Sequence, residues 1–191
     1  MIWVIGSKGM LGTELCRQLD KAGLSYAGTD LDTDILDQKA LKEFAYRSNS
    51  ENPGDTIDTI VNCSAYTAVD QAEDEAEKAF AVNAQGAANI ADTARDLDAF
   101  LIHISTDYVF PGTEDRALTE EDAPGPKSAY GRSKLAGEDE IRKRRGKHVI
   151  IRTSWLYGKY GKNFVLTMLK LMGERRELRV VNDQFGSPTN A

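Results

Sequence analysis

The chain has 191 residues, 41% of them hydrophobic, which is enough for one domain with a sizeable core, or one domain plus a fragment. Its 24 basic and 30 acidic side chains leave a net charge of −6, which argues against general nucleic-acid affinity. No apolar run approaches the ~20 residues of a membrane span, and the run from Ile2 to Ile5 is too short for a signal peptide. Cys16 and Cys63 fit neither a metal spacing nor a disulfide framework, and point to a reducing cytoplasm.

Met1 to Ile5 reads as a buried strand stopped by glycine. Gly6-Ser7-Lys8-Gly9-Met10-Leu11-Gly12 follows; then Leu11, Leu15 and Leu19 recur at helical spacing, with Ala22 on the same side and Gly23 as a stop. Strand, glycine loop and helix are the context of a dinucleotide fingerprint. The glycines let a pyrophosphate approach the backbone, and the helix N-terminus offers N–H donors and positive potential. The spacing is G-x-x-G-x-x-G, not the G-x-G-x-x-G of ordinary dehydrogenases. Leu24 to Thr29 reads as the second strand. Asp30 at its end is placed to accept hydrogen bonds from adenosine ribose hydroxyls, and Asp34-Ile35 suits the adenine edge.

Gln38 to Tyr46 is expected to be helical and Ser48 to Asp55, with Pro53-Gly54, a loop. Thr56 to Cys63 is the third strand, and Asn62-Cys63-Ser64-Ala65-Tyr66-Thr67 leaves its C-terminal end, where ligands of open α/β sheets collect. Glu73 to Leu97 reads as a long helix with Ala79, Val82, Ala87, Ile90, Ala91 and Ala94 as core positions. Asn83 inside it is expected to satisfy the backbone of a neighbouring loop.

Phe100 to Ser105 is the fourth strand, followed by Thr106-Asp107-Tyr108-Val109-Phe110 and a loop through Pro126. A hydroxyl at this strand's end can donate to a substrate carbonyl oxygen. Ser128 is a suitable N-cap for the helix carrying Tyr130 and Lys134, which are spaced to share one helix face. An ammonium near a phenol lowers the phenol's pKa and makes it a general acid or base near neutral pH. Arg142 to Arg145 with Lys147 reads as a solvated helix end favoured by the dipole. Lys147 to Thr153 is the fifth strand, with Trp155 and Tyr157 leaving its end. Asn163 to Met172 is a helix, Leu178 to Val181 a sixth strand, and Asp183 to Thr189 a closing loop. This alternation predicts an α/β, doubly wound parallel sheet of the Rossmann type, in the order 3-2-1-4-5-6. Residues 1–191 then form a dinucleotide-binding domain, with a substrate-binding region starting from about residue 155.

The glycine cradle, the hydroxyl after strand four and the Tyr-Lys pair stand in the order of the short-chain dehydrogenase/reductases. The runs can be narrowed further: Val61-Asn62 and Ala65-Tyr66-Thr67-Ala68-Val69-Asp70; Ser105-Thr106-Asp107-Tyr108-Val109-Phe110; Tyr130-Gly131 with Lys134-Leu135-Ala136-Gly137-Glu138; Arg152-Thr153-Ser154-Trp155 with Tyr157 and Asn163-Phe164; and Asp183-Gln184-Phe185-Gly186-Ser187-Pro188-Thr189. Together, over essentially the whole chain, they resemble the dTDP-4-dehydrorhamnose reductase family, an extended branch of that superfamily.

The resemblance implies reduction of the C4 ketone of dTDP-4-dehydro-L-rhamnose by NADPH or NADH. It implies that Tyr130 protonates the nascent alkoxide, that Lys134 holds the nicotinamide ribose and tunes the tyrosine, and that Thr106, assisted by Asp107, polarises the ketone. Trp155 contributes to the sugar pocket. Gly6, Gly9, Met10, Leu11, Gly12, Asp30, Asp34, Ile35, Ala65, Tyr66, Thr67, Ile104, Tyr130 and Lys134 border the cofactor. Asp30 favours NADH because a carboxylate repels a 2′-phosphate, whereas Lys8 attracts that phosphate, so both cofactors are expected to bind. Some family members hold magnesium through glutamates, one at the position of Glu14; an exposed helix residue is the stronger reading here, and no metal site is assigned. The implied partner is a nucleotide sugar, with no nucleic acid and no membrane; a homodimer is compatible. Members usually continue into a smaller substrate-binding lobe, whereas this chain stops at Ala191, so Trp155, Tyr157 and Phe185 are expected to form an exposed apolar patch. Two other readings stay open. One is an NADP-binding regulatory subunit without turnover, against which intact Thr106, Tyr130 and Lys134 argue. The other is a reductase or epimerase of another nucleotide sugar, against which Trp155 and the Asp183 to Thr189 loop argue.

Overall fold

A computed structural model describes residues 1–113, 116–144 and 146–191. Arg145 of the basic cluster lies outside the described residues. Five strands, β1 (Ile2–Ile5), β2 (Tyr26–Thr29), β3 (Thr59–Asn62), β4 (Phe100–Thr106) and β5 (His148–Thr153), pair in parallel in the order β2-β1-β3-β4-β5. The doubly wound α/β class is as expected, but the order 3-2-1-4-5-6 is not. After β2 the chain makes one helix, α2 (Gln38–Glu51), and returns past β1 to its other side. The burial pattern explains the choice. Ile60, Val61 and Asn62 of β3 are buried and suit an interior strand, whereas β2 leaves Gly28 exposed and suits an edge. The strand order therefore reverses between β1 and β3, and the glycine loop opens at that switch point.

The main core lies between the sheet and the helices on one face, α2, α5 (Ala87–Asp96) and α6 (Ala129–Lys143). Trp3, Ile5, Leu41, Ile60, Ile90, Leu101 and Ile141 meet there. Trp3 also donates its indole N–H to Thr29 Oγ1 at 2.9 Å, so its polar atom is satisfied where it is buried. In α1 (Met10–Ala22) Leu19 is buried and Leu11 and Leu15 half-buried, but Ala22 is exposed. α2 runs past the predicted boundary to Glu51 because the stripe Leu41, Ala45, Ser48 keeps facing the core.

The predicted helix from Glu73 to Leu97 is interrupted. It forms α3 (Gln71–Asp74), α4 (Ala76–Phe80), a π-helical turn (Ala81–Gly86) and α5. Ala79, Ala87, Ile90, Ala91 and Ala94 are buried, and Val82 packs against the core, as the periodicity requires. The wider turn carries Asn83. Its amide accepts from Tyr66 N at 2.9 Å and donates to Tyr66 O at 3.1 Å and to Ser133 Oγ at 2.9 Å. Asn83 thus satisfies a neighbouring loop, as expected, and fastens that loop to α6 as well.

Beyond β5 the sheet edge stays open. Leu178 to Val181 is not a strand; Val180 and Val181 are exposed and pair with nothing in either sheet. The short β6 (Leu156–Tyr157) pairs instead with β7 (Thr189–Asn190), at the end of the predicted closing loop. α7 (Phe164–Glu174), capped by Asn163, has no buried residue. Trp155 and Phe185 are exposed, while Tyr157 is half-buried. No helix among the described residues is long and apolar enough to cross a membrane.

Candidate active site

The loop from β1 to α1 is closed by its glycines. Gly6 has φ of 80°, and a Cβ there would lie 2.8 Å from Ser64 N. A Cβ on Gly12 would sit on Gly6 O and within 2.8 Å of Ser7 Cα. Gly9 is the N-cap of α1 and brings no side chain to its first N–H groups, and the first turn holds no acidic residue. Donors at the helix N-terminus therefore face outward for an anion. Gly12→Ala is expected to destabilise the chain by about 1–3 kcal/mol, because the new methyl meets backbone rather than a flexible side chain. A denaturant melt measures this, and an unchanged midpoint would contradict the close approach.

Beside this loop lies a cleft of about 570 Å³. Of the residues expected at the cofactor, Gly6, Gly9, Asp30, Asp34, Ile35 and Ala65 line it, joined by Lys8, Ser64 and Val82. Met10, Leu11, Gly12, Tyr66, Thr67, Ile104, Tyr130 and Lys134 are not among its walls. Met10 turns toward Gly161 and Asn163, whose Nδ2 is 3.6 Å from its sulfur. Leu11 is half-buried on α1. Tyr66 donates its hydroxyl to Glu75 at 3.0 Å, and Thr67 is exposed. Ile104 contributes its carbonyl to Lys134. Asp30 does more than edge the cleft: it accepts from Lys8 N at 2.9 Å and from Leu31 N at 3.0 Å, bracing the glycine loop.

The chemistry gathers at the C-terminal end of β4. Ser128 caps α6, accepting from Gly131 N at 3.0 Å, and Gly131 lets the helix close on the Tyr108 carbonyl. Tyr130 is 9% exposed and edge-on to Tyr108, with ring centroids 5.7 Å apart. Thr106 donates to Asp107 Oδ1 at 3.2 Å and accepts from Tyr108 N at 3.2 Å. Burial raises the Asp107 carboxyl above the usual carboxylate range.

One electrostatic expectation is corrected here. Burial raises the Tyr130 phenol, Thr106 pulls it back and Asp107 adds to the rise; Lys134 is not among the groups that move it. The amine is engaged elsewhere, donating to Ile104 O at 2.7 Å, and burial brings its own pKa down to about 8 against the pull of Glu138. Tyr130 is therefore a protonated phenol at neutral pH, the form that gives a proton away.

The pattern did not single out Glu138, which is completely buried. It accepts from Ser105 Oγ at 2.6 Å, from Arg152 at 3.0 and 2.7 Å, and from Arg142 at 2.8 Å. The Arg152 guanidinium also lies 4.7 Å over the Phe110 ring. Burial raises the Glu138 carboxyl, but the two arginines and Ser105 bring it below its usual value. Arg142 is thus not simply a solvated helix end, and Arg144 donates to Asp92 at 3.0 Å. The signal lay in spacing: Glu138 is one turn beyond Lys134, with Arg142 a turn further on.

Trp155 leaves β5 with φ of 46°, a left-handed conformation uncommon for a bulky residue. A Cβ on Gly186 would lie 2.6 Å from its indole, and Ser154 Oγ donates to Ser187 O at 2.7 Å, so the closing loop folds back onto it. Glu14 is engaged by Arg17 and Gln18. Among the described residues no three His, Cys, Asp or Glu side chains gather as a metal site.

Comparison with known proteins places the chain among relatives of one family. The family model described as the RmlD substrate binding domain matches residues 1–191. A dTDP-4-dehydrorhamnose reductase of Escherichia coli K12 is 45% identical over 100% of this chain and 62% of its own length. A spore coat polysaccharide biosynthesis protein of Bacillus subtilis is 45% identical over 98% of this chain and 64% of its own. The crystal structure of a dTDP-4-dehydrorhamnose reductase from Bacillus anthracis in complex with NADP superposes with a TM-score of 0.92 at 40% identity, over 99% of this chain and 65% of that one. The chain thus spans somewhat under two thirds of the length of these relatives. A UDP-glucose 4-epimerase, 17% identical with a TM-score of 0.78, shares the fold.

Proposed function

The chain belongs to the family of the RmlD substrate binding domain, and from that membership we propose that it serves the reduction of the C4 ketone of dTDP-4-dehydro-L-rhamnose to dTDP-L-rhamnose with NADPH or NADH. The observation that carries this reading is the buried, protonated Tyr130 of α6, whose phenol Thr106 at the end of β4 pulls down against burial, in the same domain whose β1 ends in the glycine cradle. Residues 1–191 form the dinucleotide-binding region, with substrate contacts from Trp155 onward, in the cytoplasm and with a homodimer as the oligomer to look for.

The cleft suits the adenosine and pyrophosphate part of a dinucleotide, whose nicotinamide end would extend beyond it toward Tyr130 and Lys134. Gly6, Gly9 and Gly12 keep side chains out of the space a pyrophosphate needs, and the uncapped start of α1 supplies its donors. Asp30 and Lys8 edge the adenosine ribose, Asp34, Ile35, Ala65, Tyr66 and Thr67 border the adenine side and the loop after β3, and Met10, Leu11 and Ile104 complete the cofactor's surroundings. A nicotinamide held here would provide a hydride for the ketone carbon. Thr106 would turn its hydroxyl from Asp107 to the ketone oxygen, and Tyr130 would give its proton to the alkoxide. Lys134 would hold the nicotinamide ribose, and Trp155 would border the sugar.

Both cofactors are expected to bind within about tenfold of one another, a difference of ~1.4 kcal/mol, because Asp30 and Lys8 act in opposite senses on a 2′-phosphate. Fluorescence titration of the 191-residue chain measures both affinities, and a hundredfold preference would refute the balance. Cofactor affinity should fall as pH rises through about 8, where Lys134 loses its charge, while the raised phenol stays protonated across that range. The 191-residue chain is expected to bind cofactor with negligible sugar turnover, because Trp155 and Phe185 stand open to water. Near-normal turnover by this chain would contradict that. A soaked crystal with the dinucleotide away from the glycine loop would overturn the whole assignment.

A further inference from the structure

His103 is fully buried in β4, and nothing in the reaction just described uses it. Its ring is held at both nitrogens. Nδ1 lies 3.0 Å from Asn62 Nδ2, and Nε2 lies 3.5 Å from Lys134 Nζ. The orientation of the Asn62 amide is not free. Its Oδ1 accepts from Ser64 N at 3.0 Å and from Ser64 Oγ at 2.6 Å, and a backbone N–H can only donate. The Asn62 NH₂ therefore faces His103 and donates to Nδ1. A neutral imidazole that accepts at Nδ1 carries its proton on Nε2. Burial and the nearby lysine keep the ring neutral by pushing it well below the ordinary histidine range.

We propose that His103 is a positioning residue for Lys134: locked as the Nε2–H tautomer by Asn62, it faces the amine with a donor instead of an acceptor. A donor on that side opposes an ammonium proton there. The lysine's protons are turned to the Ile104 carbonyl, 2.7 Å away, and to the side where a ribose hydroxyl can take them. The other titratable groups that act on Lys134 are Glu138 one turn on in α6, itself paired with Arg142 and Arg152, and Cys63 from the segment after β3. His103 presents a fixed N–H to the amine. The inference deepens the reading of Lys134 as the ribose partner, but its test needs no turnover, so the two can fail separately.

The test is nitrogen NMR of the unliganded 191-residue chain, which has two histidines. His148 is an internal control: its Nδ1 is 2.8 Å from Gly146 O, so it must carry its proton on Nδ1. The expected result near neutral pH is one ring of each tautomer, with His103 uncharged and carrying its proton on Nε2. An Nδ1–H His103, or a His103 ring charged at neutral pH, would overturn the proposal. The functional arm follows the Lys134 side-chain titration in His103→Gln, whose amide can turn its oxygen to the amine. Its midpoint should rise by about one pH unit, a tenfold gain in proton affinity. If His103 only fills space, the midpoint will not move, and that too would overturn the proposal. His103→Asn, read in the same way, replaces the glutamine variant if that does not fold.

Discussion

Tyr130→Phe, in a protein extended through the C-terminal third that its relatives possess, is expected to lower turnover about 10²–10⁴-fold, the usual contribution of a general acid. The ring remains edge-on to Tyr108, so packing is nearly unchanged and only the hydroxyl is lost. Cofactor affinity should stay close to wild type, because the proton goes to the substrate oxygen. Lys134→Ala separates from it: removing the amine should weaken cofactor binding as well as turnover. Two mutants with unchanged kinetics where chemistry limits the rate would make the pair merely structural. The phenol is buried and raised, so activity should not acquire an alkaline limb from Tyr130 near neutrality.

Glu138→Ala is the second large effect, and it is a stability effect. The substitution leaves Arg152 with an unpaired guanidinium, removes one of Arg142's two carboxylate partners on α6, leaving Asp139, and deprives the Ser105 hydroxyl of its acceptor. Breaking a buried pair by removing one partner costs about 3–5 kcal/mol, because the remaining charge is uncompensated. The discount for exposed ion pairs does not apply to Glu138, which has no exposed surface, though Arg142 is partly solvated. A loss under about 0.5 kcal/mol in a chemical melt, the size of an exposed helix pair, would show the network to be ornamental. The carboxylate also joins β4, α6 and β5 beneath Thr106 and Tyr130, so the folded fraction of the variant should lose turnover as well.

Much of this was legible from local pattern. The glycine loop is forced by backbone geometry at Gly6 and Gly12, which is why spacing alone located it. Ser128, Tyr130 and Lys134 share one helix whose cap and period are local properties. Strand order is not local. Whether β3 lies outside β2 or crosses to the far side of β1 depends on which strand can bury both faces, and G-x-x-G-x-x-G carries no trace of that decision. The strand expected at Leu178 to Val181 does not form, although the β5 edge stays open, because pairing there is a long-range choice that the local run does not encode. The π turn at Ala81–Gly86 was hidden because the helical period of alanines continues through it. The missed polar groups, His103, Glu138 and Arg152, reach partners 41, 33 and 14 residues away in the chain. A polar residue inside the apolar strand Phe100–Thr106 was the available sign for His103. Lys134 and Tyr130 were correctly paired on one face, but burial, rather than their proximity, governs the phenol.

The measurement that bears most directly on the proposed reaction is cofactor oxidation on presentation of dTDP-4-dehydro-L-rhamnose to the protein extended through that C-terminal third, with the product identified. The expected result is NADPH consumed in step with dTDP-L-rhamnose formed, and this signal lost in Tyr130→Phe while NADPH still binds. Tight NADPH binding with no oxidation by this sugar, or oxidation that survives Tyr130→Phe undiminished, would contradict it.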